Sequence, residues 1–96
     1  MKRPEFDEFG YPADRTLRAI AEWPSDDFKG LIDFVESAWT YPDYWVQHGR
    51  EICVSTGGWS GNESLIDALS ENRVFWLMCW VQSRRGGHYI FVLPEK

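Results

Sequence analysis

The sequence predicts a two-layer α+β domain, a four-stranded and mainly antiparallel sheet with helices on one face, in the order α-α-β-β-α-β-β. Three observations lead there. At 96 residues the chain is long enough for one hydrophobic core and too short for two, so residues 1–96 are expected to form a single domain. Six Trp, six Phe and four Tyr give it far more apolar surface than a disordered chain carries. The apolar period is close to that of a helix up to residue 42 and changes to strand-like runs beyond it.

Residues 1–10 are polar with Phe6 and Phe9 interspersed, and are expected to form an N-terminal arm lying across the domain. A first helix is expected from Pro12, with Asp14 in its first turn, Leu17, Ile20 and Ala21 on one face, and Pro24 as its stop. Ser25 is the expected N-cap of a second helix. Asp26 and Asp27 follow it, opposite the positive end of the helix dipole, and Phe28, Leu31, Ile32, Val35 and Trp39 repeat at i, i+3, i+4, i+7 and i+11. That helix should end near Thr40-Tyr41-Pro42.

Tyr44–His48 and Glu51–Thr56 then read as two strands joined by Gly49-Arg50, which suits a two-residue type II′ turn. A third helix is expected after the glycine-rich stretch Gly57–Gly61, opened by a capping box of Ser60 with Glu63 and closed by Asn72 in the left-handed conformation. The run Val74–Val81 is expected to be a strand, paired across a Ser83–Gly87 loop with His88–Leu93. As a strand it would be apolar on both faces, so its second face needs a cover: the arm, a second copy of the chain, or a partner protein.

The net charge of −5 is unevenly distributed: residues 1–43 hold ten acids and five bases, residues 44–96 five of each. A basic footprint for nucleic acid is absent, so no direct nucleic-acid binding is expected. The acidic face of the second helix, with Asp26, Asp27, Asp33 and Glu36, suits a basic protein surface or a solvated exterior. Cys53 and Cys79 are separated by 26 positions with no metal-ligand or redox spacing, and each lies in an apolar run, as core cysteines do. No metal site and no cofactor are expected. The N-terminus lacks an apolar signal region and no run reaches the ~18 residues of a membrane span, so a cytoplasmic protein is expected.

Two segments carry the polar chemistry. Ser55-Thr56-Gly57-Gly58-Trp59-Ser60-Gly61-Asn62 runs from a strand through glycines into a helix, the layout that cradles phosphates on backbone N–H groups, although it lacks the lysine of a P-loop and the spacing of a dinucleotide fingerprint. As a structural turn, it would use Trp59 as a packing plug. Arg84-Arg85-Gly86-Gly87-His88 is a basic hairpin tip whose guanidinium groups suit a carboxylate or phosphate partner. If the two segments fell at the same end of the sheet, they would form one polar site with His88 beside it. No catalytic residues stand out: His48 and His88 are each isolated, and no hydrolase or metalloprotease motif is present.

The run Val54–Glu63, the later Ser83-Arg84-Arg85-Gly86-Gly87-His88-Tyr89 and the earlier Gly10-Tyr11-Pro12 together resemble a family of short uncharacterised proteins encoded by bacteriophages and prophages that carry an STGGWSGNE motif. The likeness spans residues 10–93. It implies a small accessory protein acting in the cytoplasm of a bacterial host, and raises the expectation that the partner is a host protein. With the excess of aromatics and the absence of a catalytic set, the leading expectation is a non-enzymatic phage protein that binds a host protein and inhibits a bacterial defence system such as a CRISPR effector. Two alternatives use different features. One is a phosphate- or nucleotide-binding module built from loop 55–62 with Arg84 and Arg85, and the other is a homodimer that buries the apolar sheet face.

Overall fold

The computed structural model describes residues 3–94. Its elements are α1 (Asp14–Ala21), α2 (Phe28–Ala38), a 3-10 turn (Pro42–Tyr44), β1 (Trp45–His48), β2 (Glu51–Ser55), α3 (Ser60–Glu71), α4 (Arg73–Cys79), β3 (Trp80–Arg84) and β4 (His88–Val92). The four strands form one antiparallel sheet in the order β1-β2-β4-β3. The α+β class and the four-stranded antiparallel sheet thus match the sequence reading. The two hairpins join through β2 and β4, which leaves β1 and β3 as the sheet edges.

Strand alternation divides the sheet into two faces. Trp45 is paired with Val54 and Ile52 with Phe91, and these four side chains are buried against the helices. The helical half of the core comes from Ile20 of α1, the Phe28–Ala38 stripe of α2, Leu65, Ile66, Ala68 and Leu69 of α3, and Phe75 and Cys79 of α4. Phe75 lies at its centre, in ring contact with Phe28 at 5.5 Å and Phe91 at 5.5 Å. The opposite sheet face carries Val46, Cys53, Ser55, His88 and Ile90, and none of these is buried.

The β1–β2 turn forms as its residues suggest: Gly49 has φ +59°, where an L side chain would be strained, and Arg50 does not. Several local expectations are corrected. The run Val74–Val81 is not a strand: residues 73–79 form α4, and β3 begins only at Trp80, so the order becomes α-α-β-β-α-α-β-β. Short apolar runs do not distinguish helix from strand by period, and the outward positions of α4 (Val74, Leu77 and Met78) are apolar as well, which hides its helical stripe.

The residue that decides the helical state is Asn72. It sits at φ −80°, ψ 89°, not in the left-handed region, and serves both as the C-cap of α3 and as the N-cap of α4, its Oδ1 accepting from the Phe75 N–H at 3.3 Å. Its Nδ2 donates to the carbonyls of Ile20 at 3.0 Å and Trp23 at 3.2 Å, tying the end of α1 to the α3–α4 junction. The N-cap of α2 is Asp27 rather than Ser25, its carboxylate accepting from the Gly30 N–H at 3.1 Å. The capping box at α3 does not form either. Trp59 occupies the N-cap position, and Ser60, the first helical residue, donates its hydroxyl to Tyr11 at 3.3 Å.

Residues 1 and 2 of the expected arm lie outside the described residues, and the part from Glu5 onward is pinned. Thr16 Oγ1 accepts from the Glu5 N–H at 2.7 Å and donates to the Glu5 carbonyl at 2.9 Å, while the Asp7 carboxylate accepts from the N–H groups of Phe9 and Tyr11. Among the described residues no helix is long and apolar enough to cross a membrane.

Candidate functional site

The glycine-rich loop and the basic hairpin tip do meet. Ser55 and His88 are register partners across β2 and β4, and the Thr56 N–H donates to the Gly87 carbonyl at 3.0 Å. Gly87 has φ +79°, and a Cβ there would overlap Thr56 Oγ1, so the tip lies directly on the loop only because residue 87 has no side chain.

Within the loop most polar groups are already used. Asn62 is fully buried, and its amide accepts from the Thr40 N–H at 2.9 Å and donates to the carbonyls of Thr40 at 2.7 Å and Thr56 at 3.2 Å. It stitches the end of α2 to the loop. Thr56 is buried, its hydroxyl accepting from the Gly58 N–H at 3.4 Å. The Trp59 indole stacks on Tyr11 at 4.7 Å and folds over Gly61, where a Cβ would collide with it. Gly57 packs beneath the rings of Tyr44 and Tyr41. The first turn of α3 is therefore covered by an indole, and the N–H groups of Asn62 and Glu63 turn back to the Trp59 carbonyl.

The open polar groups lie on the helix-free face of the sheet. Arg84, His88 and Ser55 form one cross-strand row through consecutive register pairs, Arg84 with His88 and His88 with Ser55. The Ser55 hydroxyl and His88 Nδ1 share a 2.5 Å hydrogen bond. The row borders a concavity of about 400 Å³ whose other walls include Asp43, Tyr44, Val46, Cys53 and Ile90. Arg85 is exposed at the tip and is not part of this wall. In a second concavity, of about 460 Å³, the two cations are engaged: Arg50 donates to the Leu93 carbonyl at 3.1 Å and Lys29 pairs with Asp33 at 3.3 Å.

The acidic residues of α2 and of the two positions before it are exposed but not all idle. Asp27 caps its helix and also accepts from the Trp23 indole N–H at 3.2 Å, Asp33 pairs with Lys29, and Asp26 and Glu36 face solvent. No group of three or more His, Cys, Asp or Glu among the described residues is placed to hold a metal ion. Cys79 is buried at the end of α4, and burial pushes its thiol up to about 11, the behaviour of a core cysteine rather than a nucleophile.

A second surface is mainly apolar. Val74, Leu77 and Met78 lie at i, i+3 and i+4 of α4 and are all exposed, Leu77 at 84% and Met78 at 57%, and Val81 on β3 is exposed as well. Trp80 extends the patch, stacked on Trp76 at 5.8 Å. The Val74–Val81 run pointed to this surface by its composition, although the strand reading put its side chains in the wrong places.

Comparison with protein-family models, curated proteins and solved structures found no match to this chain.

Proposed function

We propose that this chain is a non-enzymatic binding protein whose main contact surface is the exposed apolar face of α4 continued onto β3. The observation that carries this reading is Leu77, more than four-fifths exposed, with Val74 and Met78 exposed on the same helix and Trp80 and Val81 exposed where the chain continues into β3. Soluble domains seldom leave such groups together in water, and large apolar side chains of this kind, tryptophan above all, anchor protein interfaces. The occupant is a different protein with a complementary apolar surface rather than a second copy. β3 is an edge strand, but the register slips between Trp80 and Gln82, and a bulge of this kind turns an edge away from pairing with its like.

The resemblance to phage and prophage proteins supports a host protein as that partner, and we propose inhibition of a bacterial defence component as the outcome. The exposed acids Asp26, just before α2, and Asp33 and Glu36 on it would add competition for a basic channel, an effect that weakens with salt.

The test compares the wild-type protein with Leu77→Glu in pull-downs from host lysate, with light scattering of both at micromolar concentration. The expected result is a monomer that retains a near-stoichiometric host protein, lost on Leu77→Glu while the melting temperature is unchanged. Equal retention by Leu77→Glu would remove α4 from the interface, and a wild-type dimer dissolved by the substitution would replace the foreign partner with a second copy.

A further inference from the structure

Independently of the α4 surface and on the other side of the sheet, the geometry points to a binding site for a small organic carboxylate with an apolar body, its carboxylate held by Arg84, His88 and Ser55. Among the described residues, Arg84 forms no ion pair. Its one side-chain hydrogen bond there runs from Nε to Gln82 Oε1 at 3.3 Å, a contact that braces the side chain and leaves the guanidinium's terminal N–H groups free. The planar fork of a guanidinium is matched to the two oxygens of a carboxylate.

His88 stands next in the row, its ring fixed by the bond between Nδ1 and Ser55. In the neutral tautomer with the proton on Nε2, the Ser55 hydroxyl donates to Nδ1 and the Nε2–H is a free donor. In the imidazolium form, Nδ1–H donates to Ser55 and the hydroxyl is free to donate outward. Either way the row offers an anion at least one more donor beside the guanidinium. The row is held in place by the packing of the tip on the loop, through the Thr56–Gly87 bond and the Gly87 contact, so little ordering remains for a ligand to impose.

The rest of the concavity sets the ligand's character. Val46, Cys53 and Ile90 form an apolar floor, and the half-exposed Tyr44 ring forms a wall. A volume of about 400 Å³ lies within the range of small-molecule sites. Asp43, also in the lining, places a negative charge opposite Arg84. A polyphosphate would meet that carboxylate, whereas a single carboxylate at the Arg84 end leaves only the apolar body near it. The same chemistry exists in a free aromatic acid and in the C-terminal residue of a peptide.

The site is tested by titrating the isotopically labelled protein with phenylacetate, representing the free acid, and with N-acetylphenylalanine, representing a chain terminus. Their neutral amides and inorganic phosphate serve as comparators, all followed by amide and imidazole NMR shifts. The expected result is saturable shifts confined to residues 43–46, 53–55 and 84–90 with one or both acids, the tighter acid identifying the source. Arg84→Ala should weaken binding at least tenfold, and Val46→Asp, which charges the floor without touching the row, should do the same. Both positions are exposed at sheet edges, so folding is retained. Absence of shifts up to millimolar acid, equal binding of the amides, phosphate binding as tight as either acid, or indifference to Arg84→Ala would each overturn the proposal.

Discussion

Asn72 holds three parts of the chain with one side chain: its amide nitrogen reaches the carbonyls of Ile20 and Trp23, and its oxygen caps α4. Replacing it with alanine removes a helix cap and the two hydrogen bonds that its amide donates to the end of α1, although the Ile20 carbonyl keeps the Trp23 N–H. Each of these costs on the order of 1 kcal/mol or more, so Asn72→Ala should lose roughly 2–4 kcal/mol in urea unfolding. Asn62 is its counterpart at the other end of α3, bonded to Thr40 and Thr56. Both residues look from the sequence like ordinary helix-end polar groups, because what distinguishes them is partners 22 to 52 positions away. Among the described residues, the buried Trp45 Nε1 finds no partner, the more notable because the neighbouring Trp39 indole donates to the Ser55 carbonyl at 3.2 Å.

At the level of elements, the β3–β4 hairpin shows how closely turn and loop are fitted. Gly86 and Gly87 both have positive φ, at +87° and +79°, so alanine at either is strained by about 1 kcal/mol. Only at residue 87 does the added methyl also overlap Thr56. Gly87→Ala should therefore lower stability by at least about 2 kcal/mol, clearly more than Gly86→Ala, in parallel denaturant titrations. A similar cost for the two would mean that the tip does not rest on the loop. The elements that could be read from the sequence are those with a clean period or a clear turn: α1, the α2 stripe, the β1–β2 hairpin, α3 and β4. α4 was not among them, because its buried Phe75 and Cys79 are surrounded by exposed apolar residues and no polar face marks the helix. The nearest local sign was Asn72 three positions before Phe75, a cap spacing that competes with its equally good fit as the end of α3. The same pattern holds for the candidate site. Each polar segment was visible in isolation, but the row Arg84–His88–Ser55 exists only because β2 pairs with β4, and hairpin signals do not specify how two hairpins join.

For the molecule as a whole, the buried Cys79 thiol makes stability depend on pH at the alkaline end. Its folded-state value is raised from 9.0 to about 11 by burial, so between these values the unfolded chain releases a proton that the folded chain keeps. Stability is then fully present below pH 9 and falls as pH rises toward 11. Cys79→Ala should flatten that part of the stability–pH curve even if it lowers the curve overall, as read from denaturant midpoints. An unchanged slope would show that the thiol is not buried in solution. The two proposed surfaces lie on opposite sides of the sheet, one apolar on α4, one polar on the strands, so that a protein and a small acid could be held at once without sharing a residue.

The brevity of α4 has a further consequence for the life of the folded chain. Seven residues are too few to hold a helix in water, so this one depends on its cap and its core contacts. The run Val74-Phe75-Trp76-Leu77-Met78-Cys79-Trp80 is uncharged, rich in β-forming side chains and free of proline and glycine, the composition of a segment that stacks into fibrils once extended. It leads straight into an edge strand that could template such stacking. Every opening of the Asn72 cap thus brings the chain nearer to aggregation, and the exposed apolar side chains of α4 are kept from stacking only while the helix stays wound.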